Sequence, residues 1–119
     1  MNYRSLLSGL NYRGLVRSAK RNYHVAEGGE HYVLFSPGRG TNGNYTVVAR
    51  KGVDYMARRL GGKRAVTSAE AFAACKRSRF LTERFAVLNA LYVLVGTKRA
   101  RISKMAGHTL YFDIRKHAG

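Results

Sequence analysis

The longest apolar run of the chain, FAVLNALYVLV at residues 85–95, constrains the fold more than any other segment. It is interrupted by Asn89 and falls well short of the ~20 apolar residues that a membrane-spanning helix needs. A segment that is apolar on nearly all sides is most stable at the centre of a core. The run therefore favours a central buried helix, or a helix that passes into a strand over the Val-rich residues 91–95. A helix that keeps one side for a partner is the alternative.

The charge of the chain limits the partners that it can bind. Its 119 residues include 22 Lys and Arg against six Asp and Glu, which gives a formal net charge of +16. A field of this size draws polyanions to the surface and binds them by counterion release. We therefore expect nucleic acid as the first candidate partner, an anionic membrane surface as the second and an acidic protein as the third.

Compartment and redox state can also be inferred from the sequence. The N-terminus, MNYRSLLSGLNYRG, has no apolar stretch long enough for a signal peptide. Cys75 is the single cysteine, so no intramolecular disulfide can form and a reducing compartment fits. We expect a soluble, cytoplasmic protein in an intracellular nucleic-acid compartment such as the nucleoid, without membrane contact.

The composition also argues against catalysis. The six carboxylates show no spacing typical of a metal-dependent nuclease, and one cysteine cannot supply a zinc cluster. We expect a non-enzymatic protein without cofactor or metal. The alternative is a metal-independent ribonuclease, in which His24 and His31 would face each other across a hairpin at Gly28 and Gly29 and act as general acid and base.

The first half of the chain predicts a helix followed by a small sheet. Apolar residues recur at helical spacing over residues 3–10 and 12–19. This spacing predicts an N-terminal helix that is broken near residues 9–11 or packs on two partners. An antiparallel meander is predicted by three runs rich in Val, Tyr and Phe, at residues 23–27, 31–35 and 44–50.

The glycine-rich stretch SPGRGTNGNYT at residues 36–46 has the composition of a phosphate-binding loop but not its context. A phosphate loop runs into a helix N-terminus and usually carries a Lys-Ser or Lys-Thr pair. This stretch lies between two strand-like runs, and Pro37 followed by Asn-Gly-Asn is typical of a hairpin turn. We expect a hairpin connection with Arg39 at its tip, within reach of a phosphate.

The second half predicts three helices and a hairpin. Residues 52–60 carry their apolar side chains on one helical face. Thr67 and Glu70 form a capping box, which predicts a helix from about Ser68. A third helix is predicted over residues 82–95, and the alternating segments KRARISK and HTLYFDIRK predict the two strands of a hairpin.

This order of elements resembles the winged helix-turn-helix fold of DNA-binding domains over about residues 52–115. The resemblance implies that the third helix, residues 82–95, enters the major groove, while the wing, residues 99–115, contacts the backbone or minor groove. We expect one α+β domain with an N-terminal helix, a small antiparallel meander and a winged-helix-like unit of three helices and a β-hairpin. The helix and meander would occupy residues 1–51 and the winged-helix-like part residues 52–115, followed by a tail at residues 116–119.

Basic residues fall where such docking needs them, in the turn before the third helix, in its first turn and along the wing. Phosphate contacts fix the register on a duplex, whereas base-edge contacts specify sequence. Arg84 and Asn89 are the side chains of the third helix that suit base readout. The expected DNA-binding residues are Arg39, Lys76, Arg77, Arg79, Arg84, Asn89, Lys98, Arg99, Arg101 and Lys104.

Duplex DNA binding by a small transcription regulator or an architectural factor is the function that these expectations favour. RNA or single-strand binding, including a ribosome-associated role, is an alternative, because aromatic residues on the meander could stack unpaired bases. The aromatic residues in question are Tyr23, Tyr32, Phe35 and Tyr45. A basic adaptor that docks an acidic protein is a second alternative. The apolar surface of the third helix also allows a homodimer.

Overall fold

The structure, a computed structural model, describes residues 9–19, 21–37 and 43–116. A four-stranded sheet comes first, three helices follow, and a hairpin comes last. The elements are β1 (Asn11–Arg17), β2 (Asn22–Glu27), β3 (His31–Pro37), β4 (Gly43–Ala49), α1 (Arg50–Leu60), α2 (Ser68–Ala74), α3 (Arg84–Gly96), β5 (Ala100–Ala106) and β6 (Thr109–Ile114).

The first sheet is an antiparallel meander in the order β1-β2-β3-β4. Its strands β2, β3 and β4 correspond to the three predicted runs. β3 and β4 pair antiparallel up to Pro37 and Gly43, and the predicted hairpin connection between them, at residues 38–42, lies outside the described residues. Side chains alternate between the two faces of a sheet. The face that carries Val16, Val25 and Leu34 packs on the helices and shares one hydrophobic core with them.

The predicted N-terminal helix is wrong, because the second of its two apolar stretches contains β1. Leu15 and Val16 fit a helical stripe in the sequence, yet β1 pairs with β2 along its length. In the strand these neighbours point to opposite faces, so Val16 is buried and Leu15 is half-buried. Backbone pairing with β2 outweighs a short helical pattern, since intrinsic propensity is a weak determinant of structure. The first stretch lies outside the described residues up to Ser8.

The apolar run at residues 85–95 forms α3, a central and largely buried helix. The sheet packs on one side of α3, while α1, α2 and β5 pack on the others. The helix continues to Gly96, so residues 91–95 are helical and the alternative of a passage into a strand is wrong. The buried residues of α3 are Val87, Asn89, Ala90, Leu91, Tyr92, Val93, Leu94 and Gly96.

Two glycines allow the sheet to lie directly on α3. A Cβ atom on Gly14 in β1 would lie 2.5 Å from the carbonyl oxygen of Gly96 in α3. A Cβ atom on Gly96 would in turn collide with the side chain of Val25. Next to this contact the rings of Tyr23 and Tyr92 stack with their centroids 5.0 Å apart. A larger residue at either glycine would push the sheet away from the helix.

The helices α1 and α2 form as the sequence predicts. Val53 and Met56 are buried and confirm the apolar face of α1, which begins two residues earlier than predicted, at Arg50. The capping box of α2 is confirmed. Thr67 Oγ1 accepts from the Glu70 amide at 3.2 Å, and Glu70 Oε1 accepts from the Thr67 amide at 3.0 Å.

β5 and β6 form the predicted hairpin, and a bridge joins it to the preceding helices. The hairpin turns at Gly107 and His108. Val66, between α1 and α2, pairs with Phe112 of β6 in an antiparallel bridge with two backbone hydrogen bonds of 2.8 Å. Phe112 and Ile114 are buried in the core, so the opposite side of the hairpin faces solvent.

We expect Gly14→Ala to lower the free energy of unfolding by about 1–3 kcal/mol, because the added methyl group overpacks the contact with the Gly96 backbone. Chemical denaturation followed by circular dichroism measures this change. Gly29→Ala is the matched control, since a Cβ atom at Gly29 meets no heavy atom within 4 Å. If Gly29→Ala lowered the free energy of unfolding as much as Gly14→Ala does, a steric origin of the destabilisation would be contradicted.

Candidate nucleic-acid interface

An open groove of about 670 Å³ lies beside the hairpin, where β5 begins, β6 ends and α1 has just ended. We call it the hairpin groove. Asp113 is the carboxylate in its lining, so the groove remains strongly positive after one ion pair is counted. The cationic side chains that line it are Arg64, Lys98, Arg101, Arg115 and Lys116.

Asp113 organises the hairpin groove. The Ala65 amide donates to its Oδ1 at 2.9 Å, and Arg101 Nε donates to its Oδ2 at 3.1 Å. The N–H of Ala65 and, to a smaller extent, the Arg101 side chain lower the pKa of Asp113 below its ordinary value. Arg115 Nη1 donates to the Lys98 carbonyl at 3.1 Å. Asp113 is thus ionised at neutral pH and orients Arg101, while the other cations keep their charge for a ligand.

A second groove, the helix groove, runs along the exposed side of α1 and has a volume of about 450 Å³. Its one carboxylate, Asp54, accepts from Arg99 at 3.3 Å and is therefore already paired within the protein. Tyr55 and Phe80 also line it. Its cations come from α1 and from the turn that follows α2: Lys51, Arg58, Arg77 and Arg79.

The two grooves meet at α1. Lys51, Tyr55 and Arg58 line the helix groove at spacing i, i+4 and i+7, which places them on one side of the helix. Gly62, just beyond the helix, lines the hairpin groove. Asp54 of the helix groove pairs with Arg99, the chain neighbour of Lys98 in the hairpin groove, so this ion pair links the two grooves. We call the two grooves together the basic face.

Four of the residues expected to bind DNA lie in the basic face. Lys98 and Arg101 line the hairpin groove, and Arg77 and Arg79 line the helix groove. Lys76 is exposed in the same turn as Arg77. The basic face thus contains part of each of two clusters of the predicted DNA-binding set, the turn after α2 and the start of β5, together with cations of α1, which contributes no residue to the set.

Two other expected residues lie elsewhere. Lys104 is on the outer side of β5, and its Nζ lies 5.4 Å from the centroid of the Tyr111 ring. Arg84 Nη2 donates to Ser68 Oγ at 3.2 Å, in a smaller groove near the hairpin turn. Arg39 lies outside the described residues. Lys104 extends the positive charge along the hairpin, whereas Arg84 is oriented towards α2.

The structure does not present α3 to a duplex. Asn89 is 5 % exposed, and the sheet covers the side of α3 opposite to α1 and α2. Base readout requires a side chain that reaches a base edge. Asn89 therefore does not belong to the interface, and the expected insertion of α3 into the major groove is incompatible with this packing.

Arg99 is half-buried, and its guanidinium is engaged in contacts within the fold. Its guanidinium donates to Asp54 at 3.3 Å and to the Tyr32 hydroxyl at 3.1 Å. Arg50 donates to the same hydroxyl at 3.2 Å and forms an ion pair with Glu27. We call these five residues the Tyr32 cluster. It ties β2 and β3 to α1 and to the start of β5, so Arg99 cannot bind a phosphate without loss of these contacts.

Five cations of the basic face were missed in the sequence: Lys51, Arg58, Arg64, Arg115 and Lys116. Lys51 and Arg58 had a signal, because they lie opposite the apolar face of an amphipathic helix. Arg64 and Arg115 come together through the bridge between Val66 and Phe112. A contact between distant segments has no local sequence signal.

The two histidines of the ribonuclease hypothesis are not placed together. His24 lies opposite Phe35 in the pairing of β2 with β3, whereas His31 lies at the start of β3 opposite Ala49. His24 Nδ1 instead forms a hydrogen bond of 2.9 Å with the Tyr12 hydroxyl. The two imidazoles therefore do not form the general acid–base pair that such a ribonuclease needs.

The aromatic residues of the meander do not form an exposed row for base stacking. Tyr32 and Phe35 are buried, and Tyr23 stacks on Tyr92 in the core. Tyr45 is 56 % exposed on the outer strand β4. Stacking of successive bases requires several exposed rings along one surface, and these four residues do not provide them.

Further observations bear on the class of protein. Within residues 9–19, 21–37 and 43–116, no group of three or more His, Cys, Asp or Glu side chains is placed to hold a metal ion. Across these same ranges, we find no helix with the length and apolar character needed to span a membrane.

Comparisons with protein-family models, with curated proteins and with solved structures found no match to this chain. The basic face is thus the feature from which a function can be inferred.

We expect Arg99→Ala to lower the free energy of unfolding by roughly 1–2 kcal/mol, because it breaks partly exposed, charge-assisted hydrogen bonds in the Tyr32 cluster. Lys98→Ala is the neighbouring control: it removes an exposed charge and should change stability by less than about 0.5 kcal/mol. Thermal and chemical denaturation measure both. Equal stability of the two variants would contradict a structural role for Arg99.

The stability of the protein should depend on the ionisation of Glu27. The hydrogen bond from Arg50 lowers the pKa of Glu27 from its ordinary value of 4.5. A carboxyl with a lower pKa in the folded chain stabilises the fold above its unfolded pKa, and this contribution is lost as the pH falls through the folded pKa. We therefore expect Glu27→Gln to be less stable than the parent chain at neutral pH and to approach it below about pH 4.5. Denaturation of both chains at a series of pH values measures this difference.

Proposed function

We propose that this chain is a non-enzymatic nucleic-acid-binding protein that holds duplex DNA against its basic face. One observation carries the proposal: five cations line the hairpin groove and four line the helix groove. The two carboxylates of these grooves, Asp54 and Asp113, are each paired with an arginine. The unpaired cations suit the phosphates of a nucleic-acid backbone, which bind through release of counterions.

The shape of the face favours a duplex over a single strand. The two grooves extend along α1 and past its end, as contact with several phosphates in a row requires. Proteins that hold single strands add exposed aromatic rings on which bases stack, and two of the meander aromatics, Tyr32 and Phe35, are buried.

The mechanism we infer is recognition of the backbone with little base readout. Arg101, held by Asp113, and the neighbouring Lys98 would contact phosphates at the hairpin, while Arg77 and Arg79 would do so at α1. Contacts of this kind position a protein on DNA but carry no sequence information. With Asn89 buried, an architectural or packaging role in the cytoplasm fits better than sequence-specific regulation of transcription.

Two other functions remain as outcomes of the same experiment. Structured RNA offers the same phosphate charge, so RNA binding, including a ribosome-associated role, would use the same face. A basic adaptor would bind an acidic protein and show little affinity for random nucleic acid at physiological salt.

The expected homodimer through the apolar surface of α3 is not supported by its packing, since the sheet and the other helices cover that surface beyond Phe85.

Removal of charge from either groove should weaken duplex binding. The double variants Arg64→Gln/Lys98→Gln and Arg58→Gln/Arg77→Gln each remove two candidate phosphate contacts. We expect each to lower the affinity for random duplex DNA and to reduce the slope of log K against log salt by roughly 1–2. Fluorescence anisotropy over a salt series measures both quantities.

A third double variant controls for net charge. Arg17→Gln/Arg21→Gln removes the same charge from exposed positions of the meander region, outside the basic face, and should leave the salt slope unchanged. A slope reduced equally by all three variants would show that net charge, and not the basic face, holds the duplex. Tighter binding of single strands or structured RNA at ~0.15 M salt would favour the RNA function. Loss of all binding at that salt would favour the adaptor.

A further inference from the structure

The two edges of the four-stranded sheet are built differently. β1, at one edge, carries Arg13 and Arg17 and has a bulge between Tyr12 and Gly14. Charged side chains and bulges are the usual devices that protect an edge strand from pairing with another chain. β4, at the other edge, has the sequence GNYTVVA, with no charged residue, and pairs with β3 in an unbroken register. β4 therefore lacks the protection that β1 has.

An apolar groove of about 180 Å³ lies along this unprotected edge, between β4 and the first turn of α3. Val47 in β4 is 54 % exposed and Phe85 in α3 is 65 % exposed, and both line this groove. Phe80, also exposed, lies between them and the helix groove, since it lines both. A groove between an edge strand and a helix accepts an extended strand, which adds backbone hydrogen bonds to the sheet and places side chains in the groove.

The charge of this groove identifies the occupant. Among the described residues that line it, Glu83 is the one charged side chain. Most other exposed surface of a chain with net charge +16 opposes the approach of a second copy. A polyanion would bind the basic face instead. A groove that is lined by one negative charge and no positive charge is thus where two copies of so basic a chain can approach each other.

We propose that two copies of this chain pair through β4 into a two-fold symmetric dimer. Antiparallel pairing of β4 with the β4 of a second copy continues the meander into a sheet of twice as many strands. A two-fold interface uses the same patch on both subunits. The patch meets this requirement, because it offers both a groove and, in Val47 and Phe85, exposed apolar side chains to fill the groove of the other copy. Phe80 places each helix groove next to the interface.

The oligomeric state of the full chain, free of nucleic acid, tests this proposal without reference to DNA binding. Sedimentation equilibrium measures this state. In ~1 M salt, where the Debye length is about 3 Å, the repulsion between copies is reduced. We expect a monomer–dimer equilibrium that shifts to the dimer as the salt concentration rises. Val47→Lys places a cation on the edge and should weaken the dimer about tenfold or more. Phe85→Ser, outside the sheet, should weaken it as well.

Tyr12→Lys on β1 is the matched control, since Tyr12 is 55 % exposed on the opposite edge. It should leave the dimer unchanged. Because Cys75, the single cysteine, is fully buried, Val47→Cys supplies one accessible thiol and should form a disulfide between copies under mild oxidation. A chain that stays monomeric at all concentrations in high salt overturns the proposal. So does a dimer that Tyr12→Lys weakens as much as Val47→Lys does.

Discussion

The contact between Gly14 and Gly96 determines how the rest of the molecule is arranged. The backbone of β1 meets the backbone of α3 there, and no space remains for a side chain. This close approach lets an antiparallel sheet lie on a helix that is apolar on nearly all sides, and the opposite sides of that helix are covered by α1, α2 and β5. A close-packed interior leaves no room for a ligand. The elements around α3, together with its exposed first turn, must therefore supply the contacts with any partner.

The carboxylates of the chain explain why those outer elements are so positive. Of the six acidic residues, Glu27, Asp54 and Asp113 each accept from an arginine, and Glu70 caps α2. Glu27, Asp54 and Asp113 thus join separate elements of the fold, whereas Glu70 acts within one helical turn. Arg99 is held within the fold by its carboxylate, whereas Arg101 stays exposed in the hairpin groove. The remaining cations far outnumber the remaining carboxylates, and the basic face is where many of them lie together.

The parts of this structure that the sequence predicts correctly are those that local interactions govern. The capping box of Thr67 and Glu70 acts within one helical turn, and Val53 and Met56 lie on one face of a single helix. The sequence predicts a helix in place of β1, because over a short segment a few apolar residues fit the period of a helix as well as that of a strand. Its true conformation depends on pairing with β2 and on a contact with Gly96, which is far away in the chain.

The same distinction applies to the candidate interface. Arg77 and Arg79 could be found because they form a cluster in the sequence itself. Arg99 and Arg101 look alike in the sequence, yet Arg99 contacts the buried Tyr32 and Arg101 lines the hairpin groove. What separates them is the packing of the sheet against α1 and the start of β5, which brings Tyr32 to Arg99. No pattern within the basic segment encodes that packing.

The separation of charge on this surface links the two proposed interactions. Repulsion between copies opposes a dimer of a chain with net charge +16. If duplex DNA binds the basic face as proposed, its phosphates neutralise part of this charge and thereby favour the proposed pairing of β4 strands. By linkage, the dimer would then favour DNA to the same extent, because it presents two basic faces to one polyanion. Pairing of two copies requires an interface with few cations. The uncharged strand β4, with Glu83 beside it, meets that requirement.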